Sequence, residues 1–169
     1  MNTENTVYLL LGSNLGDRVQ VLQSAVEMIQ NEIGNIIQAS SIYETAPWGV
    51  LDQPSFLNQV LAVSTALEPE EILRLVLGME HELGRVRYER WGARVIDIDI
   101  LFFQNLIADT ARLTIPHPRL HERRFTLVPL AEIAPDFIHP VLQTTVAMLL
   151  ETCQDNSNVN VYSSNYSKS

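Results

Sequence analysis

The segment Val95-Ile96-Asp97-Ile98-Asp99-Ile100-Leu101-Phe102-Phe103 restricts what this chain can fold into more than any other. Its β-branched, apolar content predicts a strand, and in a strand alternate side chains leave opposite faces. Ile96, Ile98, Ile100 and Phe102 then share a core face, while Asp97 and Asp99 share the other, about 6–7 Å apart along the backbone. Two carboxylates that close on so apolar a strand repel each other and resist desolvation, so they share a proton or hold a cation. An all-oxygen pair on a rigid strand suits a hard divalent ion, magnesium or manganese. The competing reading puts one Asp in solvent on an edge strand, paired with an arginine, and bare D-x-D patterns are common.

The neighbouring charge favours the metal. The chain carries a net charge of −9, which argues against general nucleic-acid binding. Yet residues 85–124 hold eight of the ten arginines (Arg85, Arg87, Arg90, Arg94, Arg112, Arg119, Arg123 and Arg124), giving +3 there against −12 elsewhere. A basic island in an acidic protein suits a compact anion, and the arginine fork matches phosphate oxygens in pairs. Carboxylate-held metal beside arginines is the equipment of phosphoryl chemistry, where positioning and charge neutralisation supply most of the catalysis. Other chemistries find little support. There is no P-loop G-x-x-x-x-G-K-[ST] and no G-x-S-x-G elbow. Gly12-Ser13-Asn14-Leu15-Gly16 reads as a strand-to-helix connection, not a dinucleotide fingerprint. His117 and His121 are separated by Pro118, which breaks the helix that zinc spacing presumes, and His81 and His139 belong to no constellation.

Periodicity places these residues. Val7 to Leu11 reads as a buried strand, and a helix follows from about Asp17 to Glu32, with Leu22, Val26, Ile29 and Ile33 as its apolar stripe and Gly34 at its C-cap. Ile36 to Tyr43 and Leu57 to Thr65 are further strands, separated by a loop from Thr45 to Phe56. Pro69 opens a helix whose stripe is Ile72, Val76, Met79 and Leu83, and Gly84 is expected to end it. An Arg-rich loop occupies 85–94, short helical pieces fall between Leu120 and Ile133, and a last helix runs from about Val141 to Cys153. Strands and helices mix without regular βα alternation, so an α+β layer fold is predicted. The expected organisation is one domain over 1–153 with a polar, flexible tail over 154–169, which is rich in Ser and Asn. The single Cys153, with no apparent targeting or membrane segment, predicts a cytoplasmic protein.

The run Arg90-Trp91-Gly92-Ala93-Arg94-Val95-Ile96-Asp97-Ile98-Asp99-Ile100-Leu101 closely resembles the signature of the 6-hydroxymethyl-7,8-dihydropterin pyrophosphokinases of folate biosynthesis. Gly12 to Asp17, Tyr43 to Gly49, Asp52 to Asn58, Arg112 to Arg119 and Pro129 to Pro135 resemble that family's other blocks, in order, so the likeness runs from about residue 7 to 150. The resemblance implies a ferredoxin-like α/β sandwich with a mostly antiparallel sheet, mobile active-site loops and a monomeric state. It implies pyrophosphate transfer from the co-substrate ATP to the hydroxymethyl group of the pterin, releasing AMP, with two Mg2+ ions held by Asp97 and Asp99. Arg85 and Arg94 would join these aspartates in catalysis. Glu80, Arg85, Arg87, Trp91, Arg94, Ile100, Arg112, Thr114, His117 and Arg123 would surround ATP. Phe56 and Phe125 would sandwich the pterin, with Thr45, Ala46, Trp48 and Asn58 around its edge. By pattern alone Phe56 and Phe125 are ordinary core aromatics, and no residue is an obvious dedicated base. Two other classes compete: a sugar-nucleotide transferase, which would need a longer chain with a dinucleotide-type domain, and a non-enzymatic pterin- or nucleotide-binding module. From this length, the synthase domain fused to this activity in some relatives is expected to be a separate chain.

Overall fold

A computed structural model describes residues 4–13, 17–45, 55–87 and 95–162, with backbone alone at 85–87. In chain order the elements are β1 (Asn5–Ser13), α1 (Arg18–Glu32), β2 (Asn35–Ala39), β3 (Tyr43–Thr45), β4 (Phe56–Thr65), α2 (Pro69–Arg87) and β5 (Ile96–Phe103). A small hairpin of β6 (Ala108–Asp109) and β7 (Thr114–Ile115) follows, then a 3-10 turn (Leu120–Glu122), α3 (Arg124–Ile133), α4 (Val146–Glu151) and β8 (Val159–Val161).

The main sheet has the order β5-β1-β4, with β2 and β3 both on the outer side of β4 and β8 beyond β3; every pairing is antiparallel. Taken as β1-α1-β2-β4-α2-β5, the spatial order β5-β1-β4-β2 is the ferredoxin-like arrangement, in the α+β class. Alternation along the strands sorts the core into two layers. Val7, Leu9 and Leu11 of β1 pack with Leu22, Ala25 and Ile29 of α1 and Ile72, Val76 and Met79 of α2. Leu10 of β1 and Val60 of β4 pack with Leu127 and Leu130 of α3 and Val146 and Leu149 of α4.

The strand carrying the two aspartates forms, with one departure from strict alternation. Tyr8 pairs with Phe102 but Leu9 pairs with Ile100, so Leu101 is an extra residue that shifts the register. Ile96, Ile98 and Ile100 face α1 and α2 as expected, whereas Phe102 crosses to the α3–α4 layer beside Leu101 and Phe103 returns to the first. Phe102 sits edge-on to Tyr8 at 6.0 Å and 4.4 Å from the Phe137 ring, measured between centroids. The bulge thus gives one strand an acidic outlet at Asp97 and Asp99 and an aromatic anchor beyond it.

Four other expectations are corrected. The strand foreseen over Ile36–Tyr43 is interrupted at Ser40, whose hydroxyl accepts the Val60 N–H (3.0 Å) while its own N–H donates to the Val60 carbonyl (2.9 Å). Gly84 does not end α2, which runs to Arg87: glycine inside a helix weakens it by about 1 kcal/mol and does not break it. The last helix is only Val146–Glu151: residues 137–145 fold into a turn instead, and Thr145 caps the helix by accepting the Met148 N–H (3.1 Å). Residues 154–162 of the foreseen flexible tail are built into the fold, with β8 paired to β3; 163–169 lie outside the described residues.

His139 organises the turn before α4. It is 4% exposed, and its Nδ1 accepts the N–H groups of Val141 (3.1 Å) and Leu142 (3.0 Å), so the neutral ring is required. Burial, and secondarily the nearby His121, lower its pKa below the ordinary histidine value. The neutral form is therefore favoured in the native state. Its stability contribution is complete above the unfolded-state value of about 6.5 and declines as pH falls below it. His139→Ala is expected to cost about 1–3 kcal/mol through the two orphaned N–H groups and to flatten the pH dependence of thermal stability between pH 5 and 7, measured by melting curves.

Candidate active site

On the α3–α4 side of the sheet the alternating positions of four neighbouring strands open into one cavity of about 1080 Å³. Asp97 and Asp99 of β5, Leu10 and Gly12 of β1, Phe56 and Asn58 of β4 and Thr45 of β3 line it in spatial order across the sheet. The cross-strand pairs Asp97–Gly12, Asp99–Leu10, Gly12–Asn58 and Phe56–Thr45 fix this register. At strand spacing, the Asp97 backbone stands roughly 10 Å from that of Asn58, and Thr45 lies one strand and two residues further on. Glu122, Arg123 and Phe125 enter from the start of α3, and residues 154–158 close the remaining side.

Two side chains tie these elements together. Glu132 of α3 accepts the Ser41 N–H (3.0 Å), the Ser41 hydroxyl (3.2 Å) and the Tyr43 hydroxyl (2.7 Å), which locks α3 to the start of β3. Burial, reinforced by Glu132, pushes the Tyr43 hydroxyl up to about 12, so it stays protonated and donating. On the opposite face Arg18 of α1 donates to the Ser55 carbonyl (2.8 Å), pairs with Glu44 (3.6 Å) and lies over the Tyr162 ring (5.7 Å). That cluster joins the entry to β4, β3 and the exit from β8, and so sets the positions of Phe56 and Thr45.

Inside the cavity two buried polar atoms lack a hydrogen-bond partner among the described residues: Thr45 Oγ1 and Asn58 Oδ1, on residues 5% and 4% exposed. An unmet buried polar atom costs about 1–3 kcal/mol, which a bound polar ligand removes. Asn58 lies across β1, and its Nδ2 is 3.4 Å from the Leu11 carbonyl. Gly12 permits this, since a Cβ there would stand 2.7 Å from Asn58 Nδ2. Around the carboxylates the field is mixed. Arg123 stacks over the Phe125 ring at 5.7 Å. His117 has its pKa lowered by burial, partly opposed by the Asp99 charge and assisted by Arg123 and Arg119. Its Nδ1 accepts the Arg119 N–H (3.1 Å), which leaves the proton of the neutral ring on Nε2. Its own N–H donates to the Leu101 carbonyl (3.0 Å), fixing the residue against β5.

Comparison with known proteins shows which family the chain belongs to. Residues 8–135 match the family model of 7,8-dihydro-6-hydroxymethylpterin-pyrophosphokinase (HPPK). The chain belongs to this family. It is similar to the 2-amino-4-hydroxy-6-hydroxymethyldihydropteridine pyrophosphokinase of Bacillus subtilis (strain 168), 48% identical over 130 residues, 76% of this chain and 78% of that one. The enzyme of the same name from Methylorubrum extorquens is 48% identical over 132 residues, 78% and 84% of the two chains. A folic acid synthesis protein of Dictyostelium discoideum is 41% identical over 156 residues, 92% of this chain but 23% of that protein. Among solved structures, HPPK-DHPS of Plasmodium falciparum with pteroate superposes with a TM-score of 0.74 at 18% identity, over 89% of this chain and 44% of that one, a likeness of fold alone. The enzyme is a pyrophosphokinase.

Of the residues expected at the site, Thr45, Phe56, Asn58, Asp97, Asp99, Arg123 and Phe125 share this cavity. Ile100 does not face it: its side chain is in the α1–α2 core, so only its main chain is on offer to a ligand. Glu80 accepts the Ile98 N–H (2.7 Å) and so caps the outer edge of β5, a role that its helical position did not suggest. Thr114, in β7, donates to Asp109 Oδ1 (3.3 Å), and exposed Arg112 precedes it in the same hairpin. Ala46, Trp48, Trp91 and Arg94, and the side chains of Arg85 and Arg87, lie outside the described residues.

Sequence reasoning missed Leu10, Gly12, Glu122 and the whole of 154–158 as cavity wall. The signal for the last was present in Asp155-Asn156-Ser157, since Asp two residues before Ser is a side-chain-closed turn. Asp155 Oδ1 indeed accepts both the Ser157 N–H (2.9 Å) and its hydroxyl (2.5 Å).

Proposed function

We propose that the enzyme moves the β,γ-pyrophosphate of ATP to the hydroxymethyl group of 6-hydroxymethyl-7,8-dihydropterin, in the cytoplasm and as a monomer, with AMP as the second product. The observation that carries this reading is the coexistence in one cavity of two aromatic rings, two buried unmet polar atoms and a carboxylate pair about two strands away. A flat bicyclic ring rich in ring nitrogens, an amino group and a carbonyl suits Phe56 and Phe125 at its faces and Thr45 Oγ1 and Asn58 Oδ1 at its edge. Its one-carbon arm then reaches towards β5.

Asp97 and Asp99 suit a divalent ion that also binds phosphate oxygens and water. They are hard oxygen donors on one face of a rigid strand, and no cluster of three acidic, His or Cys residues surrounds them among the described residues. Magnesium held by Asp97 and Asp99, two ions in this reading, would neutralise charge at the phosphates and make the incoming hydroxyl more acidic. The substrate hydroxyl gives up its proton to solvent as its oxygen attacks the β-phosphorus, the bond to the oxygen bridging the α- and β-phosphorus atoms breaks, and that oxygen leaves with AMP. Arg123 neutralises phosphate charge beside Phe125, and His117 donates from Nε2 to a phosphate oxygen. Arg85 and Arg94 offset the charge that develops on the transferred group, and Glu80, Arg87, Trp91, Arg112 and Thr114 complete the surroundings of ATP with the main chain of Ile100. Ala46 and Trp48 close over the pterin.

Incubation of purified protein with ATP, magnesium and the hydroxymethyl dihydropterin, followed by separation of nucleotides, tests this. AMP is the expected product. ADP would indicate an ordinary kinase, and unchanged ATP a binding module.

A further inference from the structure

We propose that residues 154–158 form a strap that closes the pterin end of the cavity, and that Asp155 is the positioning residue that holds it there. This rests on reading the cavity as the pterin and ATP site. The strap is anchored at both ends to elements that carry pterin contacts. On one side β8 pairs with β3, bringing Val159 opposite Thr45, whose Oγ1 is the unmet atom facing the ligand. On the other, Asp155 Oδ2 accepts the Arg124 N–H (3.0 Å) at the first turn of α3. That helix start has Arg123 at its cap position and no side-chain cap of its own, so a residue 31 positions away supplies it. Arg123 and Phe125 flank that N–H.

A second, polar cavity of about 420 Å³ lies along the same residues and is lined by Arg124, Glu151 and Cys153. The strap is therefore a partition with open space on two sides, not a segment packed on the core. Burial would raise the Asp155 pKa, yet the hydrogen bonds from Ser157 and Arg124 outweigh it and hold the carboxyl below its ordinary value, as a charged latch requires. Fixing Asp155 thus sets three things together: the strap, the orientation of the α3 start, and the gap between Phe125 and the β3–β4 wall.

The expected signature is selective. Asp155→Ala should raise the KM for the pterin about tenfold, which corresponds to about 1.4 kcal/mol, with the KM for ATP changed less than about twofold. Asp155→Asn keeps one acceptor oxygen and should recover part of the loss. Ser157→Ala removes only the hydroxyl arm and should raise the pterin KM about threefold in a protein with an unchanged melting temperature. In the wild-type enzyme, amide hydrogen exchange at Ser157 should slow when the pterin and a non-transferable ATP analogue are bound. A fall in kcat alone, an equal rise in both KM values, or unchanged pterin KM and Ser157 exchange would overturn the proposal. Wild-type AMP formation, measured alongside, separates that outcome from failure of the functional reading itself.

Discussion

Asp99→Asn is expected to lower turnover by more than about 10³-fold while leaving the melting temperature within a few degrees of wild type. Removing one well-placed donor to a developing charge typically costs about 10²–10³ in rate. Asp99 has a larger task in this account, because the phosphates need a divalent counterion and only Asp97 and Asp99 offer it adjacent hard oxygens on the cavity face of β5. The amide retains the shape and loses the charge, so the fold is spared: the side chain is half-buried at the cavity and is not part of either apolar core. Asp97→Asn should behave alike. Single-turnover assays across a range of magnesium concentrations check the effect, and the variants should need more metal as well as turning over more slowly. The Asp97→Asn, Asp99→Asn double variant should be little worse than either single one, since two residues that hold the same two ions act as a unit.

The second large effect falls on stability, at Gly34. Here α1 ends and the chain turns into β2, with the Gly34 N–H donating to the Ile29 carbonyl (3.2 Å). The backbone of β4 passes so close that a Cβ at position 34 would overlap the Ser64 carbonyl oxygen and stand 3.0 Å from its carbon and 3.1 Å from Thr65 Cα. These are backbone atoms in a paired strand, opposite Asn35 of β2, and cannot rotate away. Thr65 is held besides by its hydroxyl, which donates to the Ile33 carbonyl (2.7 Å). Gly34→Ala is expected to destabilise the enzyme by about 3 kcal/mol or more, through overpacking against fixed atoms. For a chain of this size that lowers the melting temperature by about 6–12 °C, measurable by calorimetry. Specific activity of the protein that stays folded should be near wild type, since Gly34 lies on the α1–α2 side of the sheet.

The sequence displayed the elements whose causes are local. Val7 to Leu11, Leu57 to Thr65 and Val95 to Phe103 are apolar runs with turn residues at their ends, and β1, β4 and β5 form there. Asp17 and Pro69 mark helix starts by capping chemistry, and α1 and α2 begin beside them. Departures arise where a distant partner decides. The shift at Leu101 depends on how Tyr8 and Leu9 pair with β5, and nothing within Ile96–Phe103 announces it. Ser40 looks like one more strand residue until its hydroxyl is seen to replace a ladder bond to Val60. Residues 154–158 read as tail because Ser and Asn rarely build cores; they are ordered by the α3 N-terminus and by the edge of β3. The site divides the same way. Asp97 and Asp99 stand out as charges on an apolar strand. Phe56 and Phe125 do not, because a ring facing a cavity and a ring filling a core have the same local pattern. Only the family resemblance pointed to them before the fold placed both on one cavity.

A crystal structure of the enzyme with manganese, a non-transferable ATP analogue and the hydroxymethyl dihydropterin tests the central claim most directly. The account predicts anomalous manganese density against the carboxylates of both Asp97 and Asp99, with the pterin between the Phe56 and Phe125 rings and its edge on Thr45 and Asn58. Manganese bound away from β5, or a pterin seated outside the cavity, would contradict it.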